Sequence, residues 1–337
     1  MIIGIAGTAK NTGKTTALAA MIREAAARGL GVAVTGIGYD GEDRDTITGL
    51  PKPRLELPEG TIATTSERCL RVSSAGGEML LRTGYHTPLG EVVVLRIRRP
   101  GTLVIAGPST TAALRHVCAI MAGYHTGPLF VDGSLNRIAP MAAADRLVIA
   151  TGAARTTDIT TLAEETGALE EVFSYPRSSV QGEERLPVVD AGSLFDRADA
   201  QHLLARAGGM AIRVSGLISL DALHVLAASA EMRSVRRLEF SDPLRLILAG
   251  DVIRTAAALA VIRNLGIEVV FSTSPALVSI TVNPYYPSFS GSTYSAAYLP
   301  AGDLVRALRQ RLRVPVTDVV AEGAATLLDR LLSSPLT

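Results

Sequence analysis

Lys14, Thr15 and Thr16 stand directly behind Gly13 in the stretch GTAKNTGKTT, residues 7 to 16, which follows the apolar run MIIGIA. An ammonium, two hydroxyls and a glycine at this spacing are the parts of a phosphate cradle. A triphosphate is held by main-chain N–H groups converging on one point, by the positive end of a helix behind them, and by a lysine that meets the outer phosphates. Gly13 lets the chain pass close to the phosphates, Lys14 supplies the mobile cation, and Thr15 puts a hydroxyl where Mg2+ would sit. Gly7, Thr8, Lys10, Asn11, Thr12 and Thr16 complete the candidate nucleotide-binding set. The spacing departs from the usual pattern: five residues, not four, separate Gly7 from Gly13, and Thr8 occupies the place of the first glycine. The same letters also read as a helix start without a ligand.

Mg2+ takes oxygen ligands and keeps several waters, so a hydroxyl and one or two carboxylates suffice. The candidates are Asp132, at the end of the apolar run PLFVDG, and Asp40, in GIGYDGEDRD beside Glu42, Asp43 and Asp45. An acid after four apolar positions suits a carboxylate that reaches the metal through water or polarises the attacking group. Lys14, Asp40 and Asp132 are thus the catalytic candidates, and Thr15, Asp40 and Asp132 the metal ligands. The competing readings are a turn residue for Asp132, in DGS, and a solvated acidic loop for Asp40. Lys52 reads as a surface lysine between prolines or as a contact to an anion; ATTSE (63–67) reads as a hydroxyl-rich wall or as a helix cap at Ser66. No guanine-reading Asn-Lys-x-Asp occurs, so ATP is the expected nucleotide. The five histidines have no metal-ligand spacing.

Composition narrows the class. The 337 residues carry 33 Lys and Arg against 32 Asp and Glu, a balance that gives no general basic field for nucleic acid or anionic lipid. Neither a nucleic acid nor a membrane is expected as partner, and the cytoplasm is the expected compartment. Two cysteines, Cys69 and Cys118, without a CxxC, exclude a disulfide framework and a zinc ribbon and read as small buried residues.

The elements that must position these groups alternate. IIGIA (2–6) reads as a strand and 14–28 as a helix with Leu18, Met21, Ile22 and Ala25 on one face and Gly29 as its stop. Strands are predicted at 31–37, 91–97, 102–107, 127–133 and 146–152, with 38–90 irregular and a helix from Ser109 or Thr110 to about 122. Later strands are predicted at 210–216, 244–250, 267–273 and 276–282, and helices at 219–230, 251–264, 301–312 and 321–332. This is an α/β pattern: a doubly wound, mostly parallel sheet with a second α/β domain. The polar segment 174–187 is the linker candidate, with a nucleotide-binding domain at 1–180 and a partner or substrate domain at 181–337. Tyr285, Tyr286, Phe289, Tyr294 and Tyr298 gather in one stretch, either pinning a long loop to its own domain or forming a partner surface.

The opening GTAKNTGKTT resembles the P-loop of dethiobiotin synthetase and related amidoligases, where a Gly-Thr opening also precedes five residues and Gly-Lys-Thr. It departs from the loop of partition ATPases, which carry a lysine five places before the loop lysine; Ala9 stands there, with Lys10 one position off. Together with TGIGYDGED, IATTSE, FVDGSLNR and SITVNPYYP, the chain resembles the P-loop subunit of the reactivase for lysine aminomutase, an adenosylcobalamin-dependent enzyme. That resemblance implies a P-loop NTPase, an ATP- and Mg2+-using chaperone-like component. It would work in an oligomer with the aminomutase and a second ATPase subunit, with Asp40 and Asp132 sensing the γ-phosphate. The rival expectation is an amidoligase with a second pocket built from Lys52, Thr64 and Thr65. A third is a nucleotide-binding partner protein with little turnover.

Overall fold

The computed structural model describes residues 1–38, 55–134, 139–178, 187–291 and 293–333. The chain forms two compact units, Met1–Leu162 with Pro275–Thr337, and Ala163–Ser274.

The first unit begins with β1 (Ile2–Gly7), α1 (Lys14–Ala27) and β2 (Ala33–Gly36). Next come β3 (Glu56–Leu57), β4 (Ile62–Ser66), α2 (Glu67–Leu70), β5 (Gly76–Thr87), β6 (Gly90–Arg99) and β7 (Gly101–Thr102). Then follow α3 (Thr111–Ala122), β8 (Leu129–Ser134), β9 (Arg146–Gly152) and α4 (Ile159–Phe173), which runs into the second unit. The second unit holds β10 (Val188–Asp190), α5 (Arg197–Leu204), β11 (Ala211–Val214), α6 (Leu220–Ala228), β12 (Arg237–Phe240), α7 (Pro243–Ile247), α8 (Val252–Asn264) and β13 (Glu268–Phe271). The chain then returns to the first unit with β14 (Ala276–Asn283), β15 (Tyr285–Phe289), β16 (Tyr294–Tyr298), α9 (Ala301–Arg311), β17 (Val316–Thr317) and α10 (Ala325–Ser333).

Nine strands of the first unit make one sheet in the order β17-β14-β9-β1-β8-β2-β4-β6-β5. Pairing is parallel from β17 to β4 and antiparallel for β4–β6 and β6–β5. The expected mixed α/β class with a mostly parallel sheet is therefore what the chain adopts. Helices cover parallel strands on both faces, so such strands read as continuous apolar runs; Ile3, Ile5 and Ala6 of β1 are accordingly fully buried. The predicted face of α1 is also buried, and Leu18, Met21 and Ile22 share one apolar cluster with Leu327, Leu328 and Leu331 of α10. Gly29, at φ 70°, ends α1 in a Schellman arrangement in which the Leu30 N–H donates to the Ala25 carbonyl at 3.0 Å.

The second unit is a separate parallel sheet in sequential order β10-β11-β12-β13, with Ile212, Leu238, Leu259 and Phe271 in its core. Instead of a C-terminal domain beginning near residue 180, the structure has an insertion. β14 pairs with β9 from Ala276↔Arg146 to Asn283↔Gly152, which returns the chain from Pro275 onward to the first unit. The linker candidate 174–187 lies partly outside the described residues.

Several predicted elements change. The region 38–90, expected to be irregular, contains the β4 strand and the long edge strand β5. Residues 103–107, expected to be a strand, bond to side chains: Thr65 Oγ1 donates to the Val104 carbonyl at 2.7 Å and Thr64 Oγ1 to the Ala106 carbonyl at 2.6 Å. Residues 244–250 turn helical because Asp242 caps α7, accepting the Arg245 N–H at 3.0 Å, with Pro243 next to the cap. The aromatic stretch is a hairpin pairing Tyr285 with Tyr298 and Phe289 with Tyr294. Among the described residues no helix is long and apolar enough to cross a membrane.

Candidate functional site

The segment between β1 and α1 turns tightly on two left-handed residues. Asn11 has φ 64°, the sole positive φ of a non-glycine residue among those described, and Gly13, at the N-cap of α1, has φ 86°. An L side chain in that region clashes with the following carbonyl, which is the reason glycine is required at residue 13. Space adds a second reason, since a Cβ on Gly13 would lie 3.0 Å from the Asn283 Cβ. Gly7 is needed for a different approach: a Cβ there would sit 2.8 Å from Thr12 Oγ1. Thr12 is buried and donates its hydroxyl to the Ala9 carbonyl at 3.0 Å, bracing the turn from inside.

The remaining candidates divide by what they touch. The Thr8 amide donates to the Ala150 carbonyl at 2.9 Å and its hydroxyl to Thr151 Oγ1 at 3.0 Å, so both groups of Thr8 fasten the strand end to β9. Lys10 is exposed, and Thr15 and Thr16 are half-buried in the first turn of α1. Parallel pairing sets Ile5 of β1 level with Asp132 of β8, and Gly7 level with Ser134. This register brings Asp132 beside the first residue of α1: Lys14 Nζ lies 2.8 Å from Asp132 Oδ1, with both side chains more than four-fifths buried. Asp132 Oδ1 has no aligned hydrogen-bond donor among the described residues, so Lys14 acts on it as a charge rather than as a directed donor. The structure thus unites Lys14, Asp132 and the 7–16 turn. Asp40, the other acidic candidate, lies outside the described residues, as do Glu42, Asp43, Asp45 and Lys52.

One contributor escapes sequence reasoning. Asn283, the last residue of β14, donates from Nδ2 to the Asn11 carbonyl at 3.0 Å, across 272 positions of sequence. An asparagine followed by proline at the end of an apolar strand was the available signal. Thr64 and Thr65, candidates for a second pocket, are fully buried, and their hydroxyls are spent on residues 104 and 106. Ser66 occupies the N-cap of α2, but its hydroxyl donates to Cys69 Sγ at 2.9 Å and not to a backbone amide.

The donor set suits Mg2+. The Thr15 hydroxyl and the Asp132 carboxylate are hard oxygen groups, and the buried Oδ1 is held by charge alone. Among the described residues no three His, Cys, Asp or Glu side chains gather into a metal site, so further ligands would come from phosphates and water.

No protein-family model and no curated protein matches the chain. Among solved structures, that of pNOB8 ParA bound to nonspecific DNA aligns with 12% identity over 79% of this chain and 98% of that one. Its TM-score is 0.28, a superposition too loose to carry fold or function across.

Proposed function

We propose that the first unit binds ATP with Mg2+ and hydrolyses it. The observation that carries this reading is the contact of Lys14 with Asp132 at 2.8 Å, beside a turn whose backbone is held left-handed at Asn11 and Gly13. A helix N-terminus alone attracts anions only modestly; a glycine turn, a lysine and a carboxylate within one ion-pair distance are the further parts that triphosphate chemistry needs. In this reading the Lys14 ammonium exchanges the Asp132 carboxylate for phosphate oxygens, and Thr15 and Asp132 hold the metal. Mg2+, when bound with the nucleotide, neutralises charge on the outer phosphates. Gly13 supplies the left-handed turn that aims the amides of the α1 N-terminus, and Gly7 with Thr12 keeps the turn in shape.

For the finer role, the resemblance of the quoted segments supports an ATP-driven, chaperone-like component of an aminomutase reactivase. It would act in the cytoplasm with the mutase and a second ATPase subunit. The amidoligase alternative loses support because Thr64 and Thr65 are buried and already bonded. Steady-state ATP hydrolysis separates these readings. Slow turnover alone, rising when purified cobalamin-loaded aminomutase and its second subunit are added, is the expected result. Strong turnover driven by a small carboxylate or amine without any protein would overturn the reactivase role. No turnover under any condition would leave a nucleotide-binding partner protein.

A further inference from the structure

Asn283 touches two things at once. Its Nδ2 donates to the Asn11 carbonyl at 3.0 Å, and its Oδ1 accepts the Tyr285 N–H at 3.2 Å. The orientation of the carboxamide follows from the partners, because a carbonyl can only accept and a backbone N–H can only donate. On one side the contact falls on the strained member of the phosphate turn, Asn11 at φ 64°. On the other it falls on the first residue of the β15–β16 hairpin. The Asn283 side chain also fills the space above Gly13, where its Cβ would lie 3.0 Å from an added Cβ. The backbone of Asn283 is fixed, since its carbonyl accepts the Ala153 N–H at 3.0 Å. What remains adjustable is the carboxamide and what it holds.

The hairpin is a two-stranded sheet of its own. A two-stranded hairpin is marginally stable in water, so one anchoring bond shifts its population appreciably. Two ring pairs hold it, Tyr285 with Tyr298 at 5.7 Å and Phe289 with Tyr294 at 4.9 Å, yet Phe289 and Tyr298 are largely exposed. One side chain thus touches both the turn and the hairpin.

We infer that Asn283 is a positioning residue that couples the phosphate turn to the aromatic hairpin, so that nucleotide at the turn orders β15 and β16. This rests on the nucleotide reading above. A nucleotide that fixes the Asn11 carbonyl also fixes the carboxamide bonded to it, and the Tyr285 amide gains a stationary acceptor. By linkage, ordering of the hairpin tightens nucleotide binding in return.

Hydrogen exchange of the intact protein, with and without saturating MgATP, tests this. In the wild type, exchange is expected to slow both at 7–16 and in β15 and β16. In Asn283→Ala, at nucleotide concentrations that still saturate the turn, slowing is expected at 7–16 alone. Asn283→Asp keeps the acceptor for Tyr285 but not the donor to Asn11, and should behave as Asn283→Ala does. Nucleotide affinity should fall on the order of tenfold in both variants, the equivalent of losing one well-formed hydrogen bond. A merely structural role would speed hairpin exchange with and without nucleotide and leave the nucleotide-dependent difference intact, which would overturn the coupling. A wild type protected at 7–16 but unchanged in the hairpin would overturn it too, while sparing the nucleotide reading. No protection anywhere would remove the nucleotide reading itself.

Discussion

At Gly13 two demands coincide: a left-handed backbone and a surface already occupied by Asn283. Gly13→Ala should therefore destabilise the protein by about 1–2 kcal/mol from the backbone alone, and it should abolish the stabilisation by MgATP; thermal melts with and without nucleotide read both effects. Asp132 poses a different question. Asp132→Asn keeps the size and removes the charge, so nucleotide affinity should hold while hydrolysis slows on the order of tenfold or more, as expected where a charge acts on the transition state. Loss of affinity and of fold together would instead make the carboxylate structural. The tight turn between β1 and α1 was legible because glycine at a helix start is a local signal, and the position of Asp132 toward the end of β8 was legible from the apolar run before it. Asn283 was not, because only the return of β14 to the first sheet brings it to the turn.

At the scale of elements, α1 is the support on which the turn rests. Leu18 and Met21 are fully buried between the sheet and α10. Leu18→Ala should cost about 2–5 kcal/mol by loss of packing and a residual cavity, lowering the denaturation midpoint while leaving the affinity of the folded protein for MgATP near that of the wild type. The helix was readable from its 3.6-residue period and glycine stop. The edge strand β5 was not: Gly, Thr and charge dominate it, and its side chains are half-exposed on both faces. At 244–248 a short apolar run fits strand or helix equally; the decisive letters were Asp242 and Pro243, a cap and a first-turn residue. Residues 103–107 carried a strand's composition, but they make scattered backbone bonds to Leu55, Thr64 and Gly38, and hydroxyls of β4 take the carbonyls of 104 and 106.

For the whole molecule, the alternation of strands and helices announced an α/β protein, while nothing local marked Ala163–Ser274 as an insertion. Pairing of β14 with β9 is a long-range event that composition does not encode. The pH response is also a property of the whole fold. Burial lowers the His125 pKa from 6.5, and among the described residues neither ring nitrogen finds a partner. Stability held by the neutral ring is present above pH 6.5 and is lost as pH falls below it, since the unfolded chain then binds the proton more readily. His125→Phe should flatten this acid limb in urea titrations run across pH. Burial pushes the Cys118 thiol up from 9.0 to about 12, so stability declines as pH rises through that interval. Everything proposed for the site depends on nucleotide occupying the turn. Isothermal titration of MgATP into the purified chain tests this most directly. Saturable binding of one nucleotide per chain in the wild type, lost in Lys14→Ala at unchanged melting temperature, is the expected result; no heat of binding in the wild type, or undiminished binding in the variant, contradicts it.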